Sequence, residues 1–198
     1  MALTTVRSTG ISSLPSISGA NLTSLNASNI SSGTLSTSRY VQGGITMAQT
    51  WRLTSNFTGD ATPITSNLEA DDTYSQGAIG SAMTQSSGVF TFPSTGIYLI
   101  QAQGEFYYGG DSRYNQLIIE VTTDNTNYNE ASKSTGGIAQ AESSTTHANS
   151  SSFYLFDVTD VSTHKVRFTS SVSVNSVTTY GDTNRNFSCM TFIRLGDT

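Results

Sequence analysis

Charge is scarce in this 198-residue chain: Asp, Glu, Lys and Arg make up 12% of it and the net charge is −5, where an average soluble domain carries about 25% charged residues. The nine Lys and Arg are scattered along the sequence. That excludes the basic face that phosphate binding requires, and with it nucleic acid as a partner. A single cysteine, Cys189, excludes an intrachain disulfide, so the fold must be held by packing. The two histidines, His147 and His164, stand alone and exclude the paired spacings of a zinc site. Nowhere do 18 apolar residues follow one another, and residues 1–10 have no apolar stretch of secretory-signal length. Synthesis in a cytoplasm is expected, with neither export nor membrane insertion.

Catalytic signatures are equally thin. There is no phosphate-cradling glycine loop and no Gly-x-Ser-x-Gly elbow, so no catalytic residue, cofactor-binding residue or cofactor is assigned. Glu105 with Asp111, or Glu120 with Glu130, is the kind of carboxylate pair a polysaccharide depolymerase would use. The small size and the absence of a repeat-rich β-helix speak against that activity. Asp71-Asp72, or Asp157 with Asp160, offers oxygens to calcium but lacks the regular spacing of an EF-hand loop. Solvated turn acids are the plainer reading, and no metal site is assigned.

What fills the chain instead is Ser, Thr, Asn and Gly, a neutral polar composition common on virion and extracellular β proteins. Short apolar runs broken by these residues give candidate strands at 50–57, 79–84, 88–92, 97–106, 116–123, 152–157, 165–172 and 187–195. No amphipathic helix of useful length lies between them. An all-β fold with two antiparallel sheets follows, a sandwich or jelly roll.

Three of these strands are apolar on both faces: Ile97-Tyr98-Leu99-Ile100, Leu117-Ile118-Ile119 and Phe153-Tyr154-Leu155-Phe156. One face of a two-sheet sandwich normally meets water, so the doubled hydrophobicity asks for a second cover. That cover is either another subunit or aromatic lids from the long loops at 124–151 and 174–186. A subunit seam is expected to include Tyr98, Ile100, Phe153 and Phe156.

The run from Gly88 to Ile100 reads as strand, turn, strand: Phe90 and Phe92 share a face, Pro93 stops the ladder, and Ser94-Thr95-Gly96 lets the chain reverse in a hairpin-like corner. The pattern Gly88, Phe90, Pro93, Gly96, Tyr98 resembles the core motif of the globular head of complement and the tumour-necrosis-factor-like trimers. That resemblance covers about residues 48–198, with Phe187 to Leu195 similar to the closing strand; Ser188 stands where the family usually has glycine. It implies a trimeric jelly roll.

Ahead of that region, Ile11, Leu14, Ile17, Leu22, Leu25, Ile30 and Leu35 are spaced by 3, 3, 5, 3, 5 and 5. Neither a flat strand nor an α-helix keeps such residues on one side. A chain that returns one hydrophobe per turn to a shared axis does, if three copies wind together; the other reading is a disordered Ser/Thr-rich leader. Residues 22–35 resemble the short repeats that precede C-terminal domains in tailed-phage fibre and appendage proteins. The division expected is an extended attachment and trimerisation arm over 1–47, using Leu22, Leu25, Ile30 and Leu35, and a jelly-roll head over 48–198.

Tyr107, Tyr108, Asp111, Arg113 and Tyr114 crowd one turn. Tyrosines stack on sugar rings and Asp or Arg binds hydroxyls, so these five form a candidate contact set for a host-surface glycan; the alternative is that the tyrosines pack at the trimer seam. Taken together, the resemblances imply a non-enzymatic virion protein, a homotrimer attached to other virion proteins through its arm. A short fibre or spike, a capsid decoration protein and a secreted lectin-like module are the three functional versions.

Overall fold

Alternation at period 2 turns much of the head sequence into strands. The structure, a computed structural model, describes residues 44–198, so Leu22, Leu25, Ile30 and Leu35 lie outside the described residues. In chain order the strands are β1 (Met47–Leu53), β2 (Phe57–Thr58), β3 (Leu68–Ala70), β4 (Thr84–Ser86), β5 (Val89–Thr91), β6 (Gly96–Tyr108) and β7 (Ser112–Thr122). They continue as β8 (Asn129–Ser132), β9 (Gly136–Ile138), β10 (Thr146–Val158), β11 (Lys165–Val172), β12 (Thr178–Thr179) and β13 (Cys189–Gly196). Among the described residues there is no α-helix.

Two antiparallel sheets result. The first runs β2-β12-β6-β13-β1-β3, with β10 paired to β6 along the whole length of both strands; the second runs β4-β5-β11-β7-β8, with β9 also on β7. Sequence neighbours rarely sit side by side, and the order is that of a jelly roll. Two expected strands are corrected. Residues 79–84 form no strand: Ile79 makes one bridge to Ala48 and pairing resumes only at Thr84. The first strand runs Met47–Leu53 and not 50–57, although the amide of Thr54 still donates to the carbonyl of Asn67 at 2.8 Å, the next pair of its register with β3.

The motif residues join the two sheets. β5 belongs to the second sheet and β6 to the first, so the expected hairpin-like corner is a crossover between sheets. Phe90 and Phe92 both point inward: Phe90 meets Trp51 edge-on at 5.3 Å and Phe192 at 5.3 Å, and Phe92 packs on Tyr98 at 4.6 Å. Tyr98 donates its hydroxyl to the carbonyl of Ser94 at 3.0 Å, which ties the turn to the strand it launches. Ser188 is buried, and its Oγ accepts from the amide of Glu105 at 3.1 Å.

The doubled strands receive two different covers. Leu117 and Ile119 enter the core, while Ile118, on the opposite face, is also buried by the chain's own residues. The Ile97 to Ile100 and Phe153 to Phe156 segments bury Tyr98, Ile100 and Phe156 and leave Phe153 and Leu155 exposed.

Gly88 has φ +80°, and a Cβ there would lie 2.0 Å from the carbonyl oxygen of Ile64. Gly88→Ala is therefore expected to lower stability by more than about 2 kcal/mol in chemical denaturation, since left-handed backbone alone costs an L-residue roughly 1–2 kcal/mol. Gly109→Ala, where a Cβ would meet nothing within 4 Å, should leave the midpoint unchanged.

Candidate functional site: the outer face of the first sheet

Along β6, Tyr98, Ile100, Ala102 and Phe106 are buried in the core, which sends Ile97, Leu99, Gln101, Gln103, Glu105 and Tyr107 to the outer face. β10 follows suit: Phe156 and Val158 are buried, while Phe153 and Leu155 are 71% and 57% exposed. The register then aligns a row. Leu155 is opposite Leu99, Leu99 opposite Ile193, Ile193 opposite Ala48, and Ala48 bridges Ile79. Five adjacent segments at strand spacing make this apolar row roughly 19 Å wide. Phe153 and Leu195 extend it, and Thr50 and Thr191 share a hydroxyl contact of 3.1 Å in the neighbouring row.

The seam residues expected from sequence are corrected accordingly. Tyr98, Ile100 and Phe156 fill the chain's own core and have no surface to offer another subunit. Phe153 alone of the four faces outward. The residues missed are Leu99, Leu155, Ile193 and Ile79, each on the unburied parity of a strand or bridge whose inward parity is equally apolar.

Arg52 stands on the same outer face, yet it is only 1% exposed. Its Nε donates to Glu69 at 2.7 Å, Nη1 to Asp71 at 2.6 Å and to Thr73 Oγ1 at 2.7 Å, and Nη2 to Asp72 at 2.9 Å. Asp71 also accepts from Asn186 Nδ2. Burial works against the guanidinium charge, but Glu69, Asp71 and Asp72 more than offset it and hold its pKa above the ordinary value. Asp71, 4% exposed, is thus a partner of the buried arginine and not a solvated turn acid, whereas Asp72, 78% exposed, stays in solvent and reaches the guanidinium from outside. Cys189, the register partner of Arg52, has its thiol pushed up to about 11 by burial and by the charge of Asp71.

Most of the other candidate acids have local partners. Asp160 caps a turn through Ser162, whose hydroxyl and amide hold it below the usual carboxylate range. Glu120 and Glu130 are cross-strand neighbours, but Glu120 accepts from Arg167 at 2.6 Å and Glu130 pairs with Lys133 at 2.7 Å. Glu105 is bound by His147 at 3.0 Å, and Asp111 accepts from the amide of Gln140.

The five residues of the expected glycan set do not converge. Tyr107 faces outward and Tyr108, its neighbour on β6, packs against the core. Asp111 and Arg113 are exposed in and after the turn, and Tyr114 is half-buried. Tyr107 finds different company: with Asn56, Thr145, His147 and Tyr180 it lines a cavity of about 300 Å³.

No protein-family profile matches the chain, and no curated protein matches it. Solved structures do. The crystal structure of murine APRIL at pH 8.5 superposes with a TM-score of 0.50 at 10% identity, and that at pH 5.0 with 0.50 at 8% identity; each covers 75% of this chain and 98% of that one. The fold is a jelly roll of tumour-necrosis-factor type. At such identity the likeness shows the fold alone.

Removing the guanidinium leaves three clustered carboxylates without their cation, so Arg52→Met should destabilise the protein by about 3–5 kcal/mol, read from urea denaturation. The raised pKa of Cys189 predicts that thiol reagents fail to label the native protein at mildly alkaline pH and label it at once when it unfolds.

Proposed function

We propose that this chain is a non-enzymatic structural protein of a tailed-phage virion, three copies of which unite through the outer face of the first sheet into a short fibre or spike-type appendage. The N-terminal arm attaches the trimer to other virion proteins, and the head meets the host surface. The protein is made in the host cytoplasm and resides in the virion.

The apolar row from Leu155 to Ile79 carries this reading. Exposed Phe153, Leu155, Ile79 and Leu195, joined by half-buried Leu99 and Ile193, form an apolar patch of the kind that marks an interface. Burying each outward Leu, Ile or Phe contributes roughly 1.5–3 kcal/mol, enough in sum to favour an obligate assembly. The motif at Gly88 to Tyr98 adds support, because the trimers it resembles share this fold. The phage assignment draws on the repeat-like phrase at 22–35 and on the neutral polar composition.

Size-exclusion chromatography with light scattering tests the assembly: the full chain should run at three times its 21.0 kDa mass. Leu99→Glu or Leu155→Glu should release monomers with the melting profile of a folded protein, whereas Tyr74→Ala, at an exposed site elsewhere, should not. A wild-type monomer overturns the trimer. Quantitative mass spectrometry of particles should then find a few copies each; a large copy number would move the protein from the tail to the head.

A further inference from the structure

The outer face of the first sheet changes character along its strands. Eight residues of β6 separate Leu99 from Tyr107, roughly 27 Å at strand rise, and over that distance the apolar row gives way to amides, hydroxyls and then aromatic rings. The cavity of about 300 Å³ lies at this second end, walled by Asn56, Tyr107, Thr145, His147 and Tyr180.

Its walls are braced from behind. Tyr107 and His147 are direct cross-strand partners with rings 5.5 Å apart and tilted by 33°. Tyr180 meets Tyr107 edge-on at 5.5 Å and is itself stacked on Phe187 at 4.2 Å. Asn56 Oδ1 accepts from the amide of Gly181 at 2.8 Å, which fixes the side-chain amide so that Nδ2 donates to Tyr107 Oη at 3.1 Å. That leaves the Tyr107 hydroxyl proton free to donate outward. Glu105 accepts from Nδ1 of His147 at 3.0 Å, which leaves Nε2 as the ring nitrogen available to a ligand. Gly181 seats the loop tightly, since a Cβ there would fall 2.6 Å from the carbonyl oxygen of Ser55.

Two properties define the ligand. Among the described residues the lining contains no Lys, Arg, Asp or Glu, and Glu105 behind it is engaged by His147, so neither an anion nor a cation is favoured. Aromatic rings supply apolar surface while Tyr107 Oη, Thr145 Oγ1, His147 Nε2 and the Tyr180 hydroxyl supply donors and acceptors around it. A molecule with a flat C–H face and a rim of hydroxyls matches both. The volume is at the lower end of the roughly 300–1,000 Å³ of small-molecule sites, the size of a single sugar ring.

We propose that this cavity binds one neutral pyranose unit, its C–H face against the tyrosine rings and its hydroxyls on Tyr107, Thr145 and His147. The proposal rests on the reading of the head as a host-contacting module and moves the glycan contact from the 107–114 turn to residues scattered over 56–180. It does not rest on the trimer, because every wall comes from one chain.

Saturation-transfer NMR on the full chain tests it, using methyl glycosides of glucose, galactose, mannose, rhamnose and N-acetylglucosamine as probes at millimolar concentration. At least one glycoside should receive saturation, strongest on its ring C–H protons. His147→Ala should weaken binding about ten-fold, as loss of a hydrogen bond and its ring contact would, and Thr145→Arg, which fills the cavity from an exposed position, should abolish it. Tyr74→Ala should change nothing. Silence toward every glycoside overturns the proposal, as does binding that survives both cavity substitutions or is lost equally with Tyr74→Ala. A trimer that ignores all the sugars sinks this site alone, whereas a monomer that binds one sinks only the assembly.

Discussion

Tyr98 is held inward by its hydroxyl bond to Ser94 and its packing on Phe92, and because strand side chains alternate, that one placement sets the facing of all thirteen residues of β6. β6 is paired on one side with β10 and on the other with β13 and β12, so its parity passes through the register to three more strands. A slip by one residue would expel Tyr98, Ile100 and Phe106 from the core and draw Gln101, Gln103 and Glu105 into it. The corner from Gly88 to Tyr98 therefore does more than reverse the chain. It decides which half of the apolar side chains of the first sheet remains for another molecule to cover.

Buried polar groups then fix how the layers meet. Ser150 Oγ accepts from the amide of Leu117 at 3.0 Å and Ser152 Oγ donates to its carbonyl, so two inward serines of β10 satisfy the backbone of β7 across the gap between sheets. Arg52 does the same for the loops, drawing residues 69–73 onto the sheet, with Asn186 joining through Asp71. A buried ion cluster is poor evidence of net stability but makes its partners hard to replace singly. Here it anchors the segment that leads to Phe187, the ring on which Tyr180 rests at the cavity wall.

How far the sequence was legible follows from which signals are local. The all-β class and the longer strands were readable because period-2 runs and Gly or Asn breaks are local, whereas β2, β3, β8, β9 and β12, of two to four residues, exist only through pairing with other strands. Parity was not readable where both faces are apolar: Phe153 and Phe156 lie three apart and so face opposite ways, yet nothing in their own strand says which is inward. The Arg52 cluster was half visible, since Asp71-Asp72 stands out while the arginine that neutralises it lies nineteen or more residues away. Tyr107 drew notice, but its companions Asn56, Thr145, His147 and Tyr180 meet it only in three dimensions.

A sheet protein with so few charges must still avoid edge-to-edge growth, and charged edges are the usual defence. This one shortens its edges instead: β2 has two residues, β3 and β4 three each, and β8 four. The long outer strand of the first sheet, β10, does not lie open to pairing near its start, because β9 is pressed so near that a Cβ on Gly136 would fall 2.3 Å from the carbonyl oxygen of Asn149. With most edges trimmed, the proposed assembly uses the face of the first sheet and not its rim. Face-to-face association of that kind is self-limiting, since it consumes the row from Leu155 to Ile79 and creates no new edge. It also leaves the aromatic end of the same face, some eight residues further along β6, to meet something other than the chain itself.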